Sequence, residues 1–297
     1  MSLIHLEQGE QTLIEQDPGD LQSIQDQQRR LRLLSFNAHV GISASGLRDY
    51  LRNSWKHFLP FSGRLENLDR VATFISQFDV VGLQEMDAGS MRSQFIDLTE
   101  YLSRRAGFPH SYTRVNRDLG ALAKHSMGLL TRMEPARVTM HRLPGPIPGR
   151  GAIEAQFSLG GDDSLVLFLV HLALGRRARA AQLDYVAEQI AHAPHAIVMG
   201  DFNCHPESQE MRQLIRKTGL MDPVPTPATY PSWDPQRVFD HILLTPDLGV
   251  SEMRVYNVSL SDHLPVGIEI QLPEGRPILD LPPSRMGEGP IDPDRED

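Results

Sequence analysis

The sequence predicts an α/β domain whose sheets are covered by helices. Three observations carry this. Short apolar runs without polar alternation recur along the chain, as in "LRLLSF", "VVGL", "LVLFLV" and "AIVM", and such runs read as strands buried on both faces. Between them lie segments with apolar residues three and four apart, the mark of a helix with one buried stripe. The chain has 297 residues, 40% hydrophobic and 23% charged, a balance normal for a soluble domain with a sizeable core.

The elements follow in order. Residues 1–30 are rich in Gln, Glu and Asp and read as peripheral, with some helix toward "LQSIQDQQRR". "LRLLSFN" is a strand ending at Asn37. "NSWKHFLPFSGR" is a long loop, in which Trp55, Phe58 and Phe61 either face a substrate or pack the loop on itself. "RLENLDRVATFISQF" is a helix with Leu65, Leu68, Val71, Ala72 and Ile75 on one face, and "DVVGLQE" a strand ending at Glu85. "QFIDLTEYLSRRAG" is a helix closed by Gly107, since glycine readily adopts the left-handed conformation that ends a helix. "HSMGLLTR" and "GAIEAQF" are strands on either side of a Pro/Gly loop, "LPGPIPGRG". Next come strand "SLVLFLVHLAL", helix "RARAAQLDYVAEQIAHA", strand "HAIVMGDFN" and helix "ESQEMRQLIRKTG". Strand "RVFDHILLT" and, after a loop, "SDHLPVGIEIQL" complete the domain. The tail from Pro273 is Pro-rich and acidic, a composition that cannot bury enough surface to order itself. The expected organisation is one folded domain over 31–272, between a peripheral segment 1–30 and a tail 273–297.

Composition narrows the function. Cys204 is the single cysteine, which excludes an internal disulfide and a multi-cysteine zinc site. A net charge of −9 argues against a surface built to grip long duplexes, where Lys and Arg must neutralise phosphates. No basic, apolar leader opens the chain and no run is long enough to span a bilayer. A cytoplasmic protein with no integral membrane association is expected.

The chemistry gathers at strand ends. "LLSFN" ends at Asn37, "VVGLQE" at Glu85 and "LFLVH" at His171. "IVMGDFN" supplies Asp201 and Asn203, "RVFD" supplies Asp240, and "SLSDH" supplies Asp262 and His263. Residues i and i+2 of an extended chain share a face, so Asp201 and Asn203 point together where the sheet opens. Taken alone, each of these residues reads more simply as a turn cap, a surface carboxylate or a satisfied core histidine. Their repetition changes that: unpaired charge beside a core costs several kcal/mol, and a divalent cation would serve as the common partner. Carboxylates and an amide oxygen without thiolate suit Mg²⁺ or Mn²⁺. The histidines are better placed for proton transfer or phosphate contact, and the set fits hydrolysis of a phosphate ester.

In order and spacing, "LLSFN", "VVGLQE", "GLLTR", "VHLALG", "MGDFN", "FDHILL" and "SDHLPV" resemble the endonuclease/exonuclease/phosphatase superfamily over about Leu31 to Leu272. "TYPSWDPQRVFDHILLTP" is closest to bacterial small-molecule or unassigned members. The resemblance implies a deoxyribonuclease-like two-layer β-sandwich flanked by helices, a four-layer α/β/β/α fold. It further implies Glu85 as principal metal ligand with Asn37 beside it, and Asp201 as the group that orients or deprotonates the attacking water. Asn203 and His171 would donate to the scissile phosphate. Asp262 would be a second metal ligand or the orienter of His263, and Asp240 would support the other catalytic histidine or the surrounding hydrogen bonds. The general base stays open between Asp201 and a His263–Asp pair.

Some residues depart from the pattern or stand beside it. Met127 occupies a position where the family often has Asn, which predicts a more apolar entrance with His125 taking over a contact. His241 replaces a common Tyr and is expected to face away from the site. Arg150, Arg176, Arg177 and Arg179 lie where they could receive a phosphate, Arg150 and Arg176 foremost. Cys204 is expected to be a packed small residue rather than a nucleophile. The function expected is a metal-dependent phosphoesterase acting on a phosphomonoester or phosphodiester. The alternatives are a nuclease on single-stranded or short nucleic acid, a lipid-headgroup phosphodiesterase, and a silent binding scaffold. Stable duplex DNA binding is not expected.

Overall fold

The structure, a computed structural model, describes residues 29–38, 61–145, 149–258 and 260–273. Segment 1–28, the stretch holding Trp55 and Phe58, and the tail from 274 lie outside the described residues, as does the side chain of Phe61.

Two sheets form. The first has six strands: β1 (Arg30–Asn37), β2 (Val80–Asp87), β3 (His110–Asp118), β4 (Lys124–Thr131), β10 (Gly249–Val255) and β11 (Val266–Gln271), in the order β10-β11-β1-β2-β4-β3. The second runs in sequence order: β5 (Arg137–Arg142), β6 (Gly151–Gly160), β7 (Asp163–His171), β8 (His195–Asp201) and β9 (Asp240–Leu244). Each sheet contains one parallel pair, β1–β2 and β7–β8. Parallel neighbours need a crossover, supplied by α1 (Phe61–Ile75) in the first sheet and α3 (Arg176–Ile190) in the second. The remaining helices are α2 (Leu98–Ala106) and α4 (Gln209–Thr218).

Strand alternation separates the layers. Leu33, Leu167 and Ile197 point between the sheets, where they meet Met127, Leu129 and Ile242. Their chain neighbours point outward: Leu34 packs with Val71 and Phe74 of α1, while Phe168 and Val198 pack with Leu183 of α3 and Leu214 of α4. Strands buried on both sides therefore read as unbroken apolar runs, each full side-chain burial contributing about 2 kcal/mol. The result is the expected four-layer α/β/β/α sandwich. Asp97 caps α2 by accepting from the Thr99 and Glu100 amides, and Gly107 closes it in the left-handed conformation.

Three strands were not anticipated. β3, β5 and β10 are all edge strands, with exposed residues interspersed along them. The Pro/Gly loop consequently joins β5 to β6 instead of β4 to β6. The last strand begins at Val266, which leaves Asp262 and His263 in the turn before it. No described helix is long and apolar enough to cross a membrane.

Candidate active site

Topology brings the strand ends to one rim. Asn37, His171 and Asp201 end β1, β7 and β8, and Glu85 lies near the end of β2. β9 runs antiparallel to β8, so its first residue, Asp240, sits opposite Asp201, which in turn sits beside His171. β11 runs antiparallel to β1, so the turn before it delivers Asp262 and His263 to the same rim.

Three polar links cross the seam between the sheets. Asn37 Nδ2 donates to Asp201 Oδ2 at 3.2 Å. Glu85 Oε1 lies 3.7 Å from His171 Nε2, which is also 3.6 Å from Asp201 Oδ2. His263 Nδ1 is 2.8 Å from Asp240 Oδ2. Every named residue except Glu85 and Asn203 is buried.

Local backbone supports this placement. β2 carries one extra residue relative to β4 between Leu83 and Met86, and Glu85 within that bulge has φ +56°. Asn203 has φ +52°. Left-handed conformations at non-glycine residues cost about 1–3 kcal/mol and gather at functional sites. The Asn203 amide donates to Asp201 Oδ1 at 2.8 Å, and its Nδ2 donates to the Leu172 carbonyl at 3.0 Å, which leaves the second Nδ2 proton for a ligand. Gly200 (φ +142°) brings β8 against β7 so closely that a Cβ there would stand 1.9 Å from the Val170 carbonyl oxygen.

The site pushes its titratable groups apart. Burial, joined by the Arg150 charge, drives His171 down to about 3 against the pull of Glu85, so its imidazole is neutral. Burial raises Asp201 to about 7, against the opposing charge of His263. Burial also disfavours the His263 cation, but Asp240, Asp201 and Asp262 together outweigh it and push His263 up to about 10.

The endonuclease/exonuclease/phosphatase family model matches residues 34–263, a span that includes every one of these residues. The chain belongs to the endonuclease/exonuclease/phosphatase family. Solved structures share its fold. An endonuclease/exonuclease/phosphatase from Beutenbergia cavernae has 21% identity and TM-score 0.64, covering 82% of this chain and 72% of that one. A mannosyl-6-phosphatase from Bacteroides thetaiotaomicron has 17% identity and TM-score 0.60, covering 81% and 99%. Beta toxin from Staphylococcus aureus has 14% identity and TM-score 0.57, covering 80% and 99%. No curated protein matches the chain in sequence.

In this endonuclease/exonuclease/phosphatase domain several sequence expectations change. Met127 is buried between the sheets, so it forms no apolar entrance; its neighbours His125 and Ser126 line the cavity beside Glu85. Arg179 is no phosphate receiver. It is buried and bonded to Glu210 at 2.8 Å and to the Ala173 and Leu174 carbonyls. Arg150, Arg176 and Arg177 do line the cavity, and Arg150 faces Asp201 and Glu85. Cys204 is buried among apolar residues, and burial raises its thiol. His241 faces away from the rim, bonded to the Cys204 carbonyl and edge-on to Phe202. Asp240, not Asp262, takes His263 Nδ1; Asp262 accepts from Ser261 Oγ at 3.2 Å.

Sequence reasoning missed the supports from "TYPSW". Thr229 Oγ1 donates to Asp240 Oδ2 at 2.6 Å, Tyr230 packs its ring 4.7 Å from that of His263, and Ser232 donates its amide to the Asp262 carbonyl. The loop was visible as a motif, but its spacing to Asp240 carried no sign of contact.

The donor set suits a hard cation. Asp240 Oδ1 is buried with no hydrogen-bond partner among the described residues, and such an oxygen is costly unless something positive meets it. Asp201, Asp240 and His263 each offer an atom within 4.8 Å of the others. His263, held at Nδ1 by Asp240 and pushed up to about 10, carries a proton on each ring nitrogen and offers a metal no lone pair. The oxygen donors at the rim are then Asp201, Asp240, Glu85, Asn37 and Asp262.

Proposed function

We propose that this chain is a divalent-metal-dependent phosphoesterase that hydrolyses a phosphomonoester or phosphodiester by direct attack of water. One observation carries the reading: four carboxylates and two histidines from both sheets converge on one rim, around a buried Asp240 oxygen with no partner among the described residues. Glu85 and Asn37 would hold Mg²⁺ or Mn²⁺, with Asp262 at the same rim as a further oxygen ligand. When bound, the ion supplies Lewis-acid polarisation of the phosphoryl oxygen.

The chain's own groups do the rest. Asp201, steadied by Asn37 and the Asn203 amide, orients the attacking water. His263, fixed through Nδ1 by Asp240, presents Nε2 for proton transfer. Neutral His171 and the second Nδ2 proton of the Asn203 side chain donate to the phosphoryl oxygens, where fixed donors lower the barrier to developing charge. Arg150, which faces Asp201 and Glu85, steadies the reacting phosphate, and Arg176 lies further along the same cavity, where it would meet the rest of the substrate. A buried lone Cys204 thiol is compatible with a cytoplasmic enzyme.

The test is hydrolysis of p-nitrophenyl phosphate, bis(p-nitrophenyl) phosphate, single-stranded DNA, RNA and phospholipid by protein dialysed against chelator, with and without added Mg²⁺ or Mn²⁺. Metal-restored turnover of at least one small ester is expected. Undiminished turnover in chelator, or none with either metal, refutes the reading. Turnover of nucleic acid alone would favour the nuclease alternative.

A further inference from the structure

The cavity holding Glu85 and His171 is larger than one phosphoryl group requires, and its far side is basic. Its volume is about 770 Å³, within the range of pockets that enclose small organic ligands. Arg117, Arg176 and Arg177 line it. None of their side chains makes a hydrogen bond or ion pair among the described residues, whereas Arg104, Arg105, Arg179 and Arg254 each hold a carboxylate. All three are exposed at the cavity's edge, where their guanidinium forks would close on one anion held between them.

Two further observations point to a ligand in the same space. Ser126 Oγ lines the cavity, is only 2% exposed and has no hydrogen-bond partner among the described residues, so its hydroxyl is a donor available to an anion there. The 15-residue helix α3 opens onto the cavity through Gly175, which provides no side-chain cap. Uncapped first-turn amides are donors for phosphate oxygens.

We propose that this region is a second-phosphate subsite. The substrate is a small ester with two phosphate groups: one reacts beside Glu85 and His171, and the other, a terminal phosphomonoester, is held by Arg117, Arg176, Arg177 and the first turn of α3. The guanidinium fork matches phosphate oxygens in pairs, which a neutral headgroup does not supply. The proposal rests on the phosphoesterase reading of the reactive end and names its substrate class.

Two p-nitrophenyl phosphodiesters of one short diol test it, the first with its far hydroxyl phosphorylated and the second with that hydroxyl free. With Mg²⁺ or Mn²⁺, kcat/KM for the phosphorylated ester is at least about tenfold higher in the parent. In the double variant Arg117→Gln, Arg177→Gln that preference falls below about threefold. The preference is a ratio, so it is insensitive to the fraction of folded enzyme. A parental preference near unity, or one that survives in the double variant, overturns the subsite. If the parent hydrolyses neither ester, the phosphodiester form of the phosphoesterase reading fails and calorimetry with inorganic pyrophosphate on chelator-treated protein judges the subsite alone. Binding by the parent that weakens in the double variant upholds it, and no binding overturns it.

Discussion

Asp240→Asn is the substitution that asks most of the proposed chemistry. Asp240 Oδ2 receives two donors, Thr229 Oγ1 at 2.6 Å and His263 Nδ1 at 2.8 Å. An amide keeps the shape but loses the charge and the ion pair, so only the weaker pulls of Asp201 and Asp262 still oppose burial, which disfavours the His263 cation. A positioned proton-transfer group contributes about a hundredfold to ten-thousandfold, equivalent to about 3–5 kcal/mol of barrier. Thr229→Val removes one of the two bonds and leaves the ion pair, a loss of about 1 kcal/mol and hence about fivefold. The expected order is parent, then Thr229→Val, then Asp240→Asn, with about a thousandfold between the first and last. The assay is steady-state hydrolysis of the small ester identified in the metal screen, with melting temperatures to confirm folding. If folded Asp240→Asn retains turnover within threefold of the parent, or falls less than Thr229→Val, the His263–Asp240 pair does not carry the proton.

Other outcomes follow from individual contacts. Glu85→Gln weakens Mg²⁺ or Mn²⁺ binding in calorimetry while leaving the melting curve of metal-free protein nearly unchanged; unaltered affinity would pass the principal ligand role to another carboxylate. Gly200→Ala places a methyl 1.9 Å from the Val170 carbonyl oxygen at φ +142° and costs about 3 kcal/mol of stability, so a loss of less than 2 °C in melting would contradict the close approach. Asp222 is partly exposed, with one buried unpartnered oxygen, and burial raises it to about 6. Its folded value lies above its unfolded one, so its contribution to stability is full below about pH 4 and is lost as pH rises through 6. After allowance for its exposure, Asp222→Asn should gain about 1 kcal/mol at pH 8 and nothing at pH 4. An equal gain at both pH values would exclude the titration as its source.

What could be read from sequence was what burial imprints on both faces of an element. β1, β2, β7 and β8 are buried throughout or nearly so, and their apolar runs gave both the strands and the polar residues that end them. β3, β5 and β10 have one neighbour each and alternate with solvent-facing residues, so a search for apolar runs passes over them. The rim residues were legible because each interrupts or ends such a run. Thr229 was not, because its contact with Asp240 is made by a loop whose path depends on tertiary packing. Nor did sequence disclose the bulge that sets Glu85 at positive φ, or the burial of Met127, which follows from the phase of β4 against β2.

In the proposed reaction, the three links across the seam put the rim under the control of residues that never meet a substrate. Asn37–Asp201, Glu85–His171 and Asp240–His263 each span the two sheets, so their lengths are set by the thickness of the apolar layer between them. Gly82 sits in that layer, where an added methyl group would come 2.4 Å from Leu169 Cδ1 and 2.8 Å from Met199 Cε. A larger residue there would wedge the sheets apart and lengthen all three links together, even if the flexible ends of Leu169 and Met199 gave way enough for the chain to fold. Turnover by the proposed mechanism therefore depends on side-chain volume between facing strands as much as on the rim residues themselves.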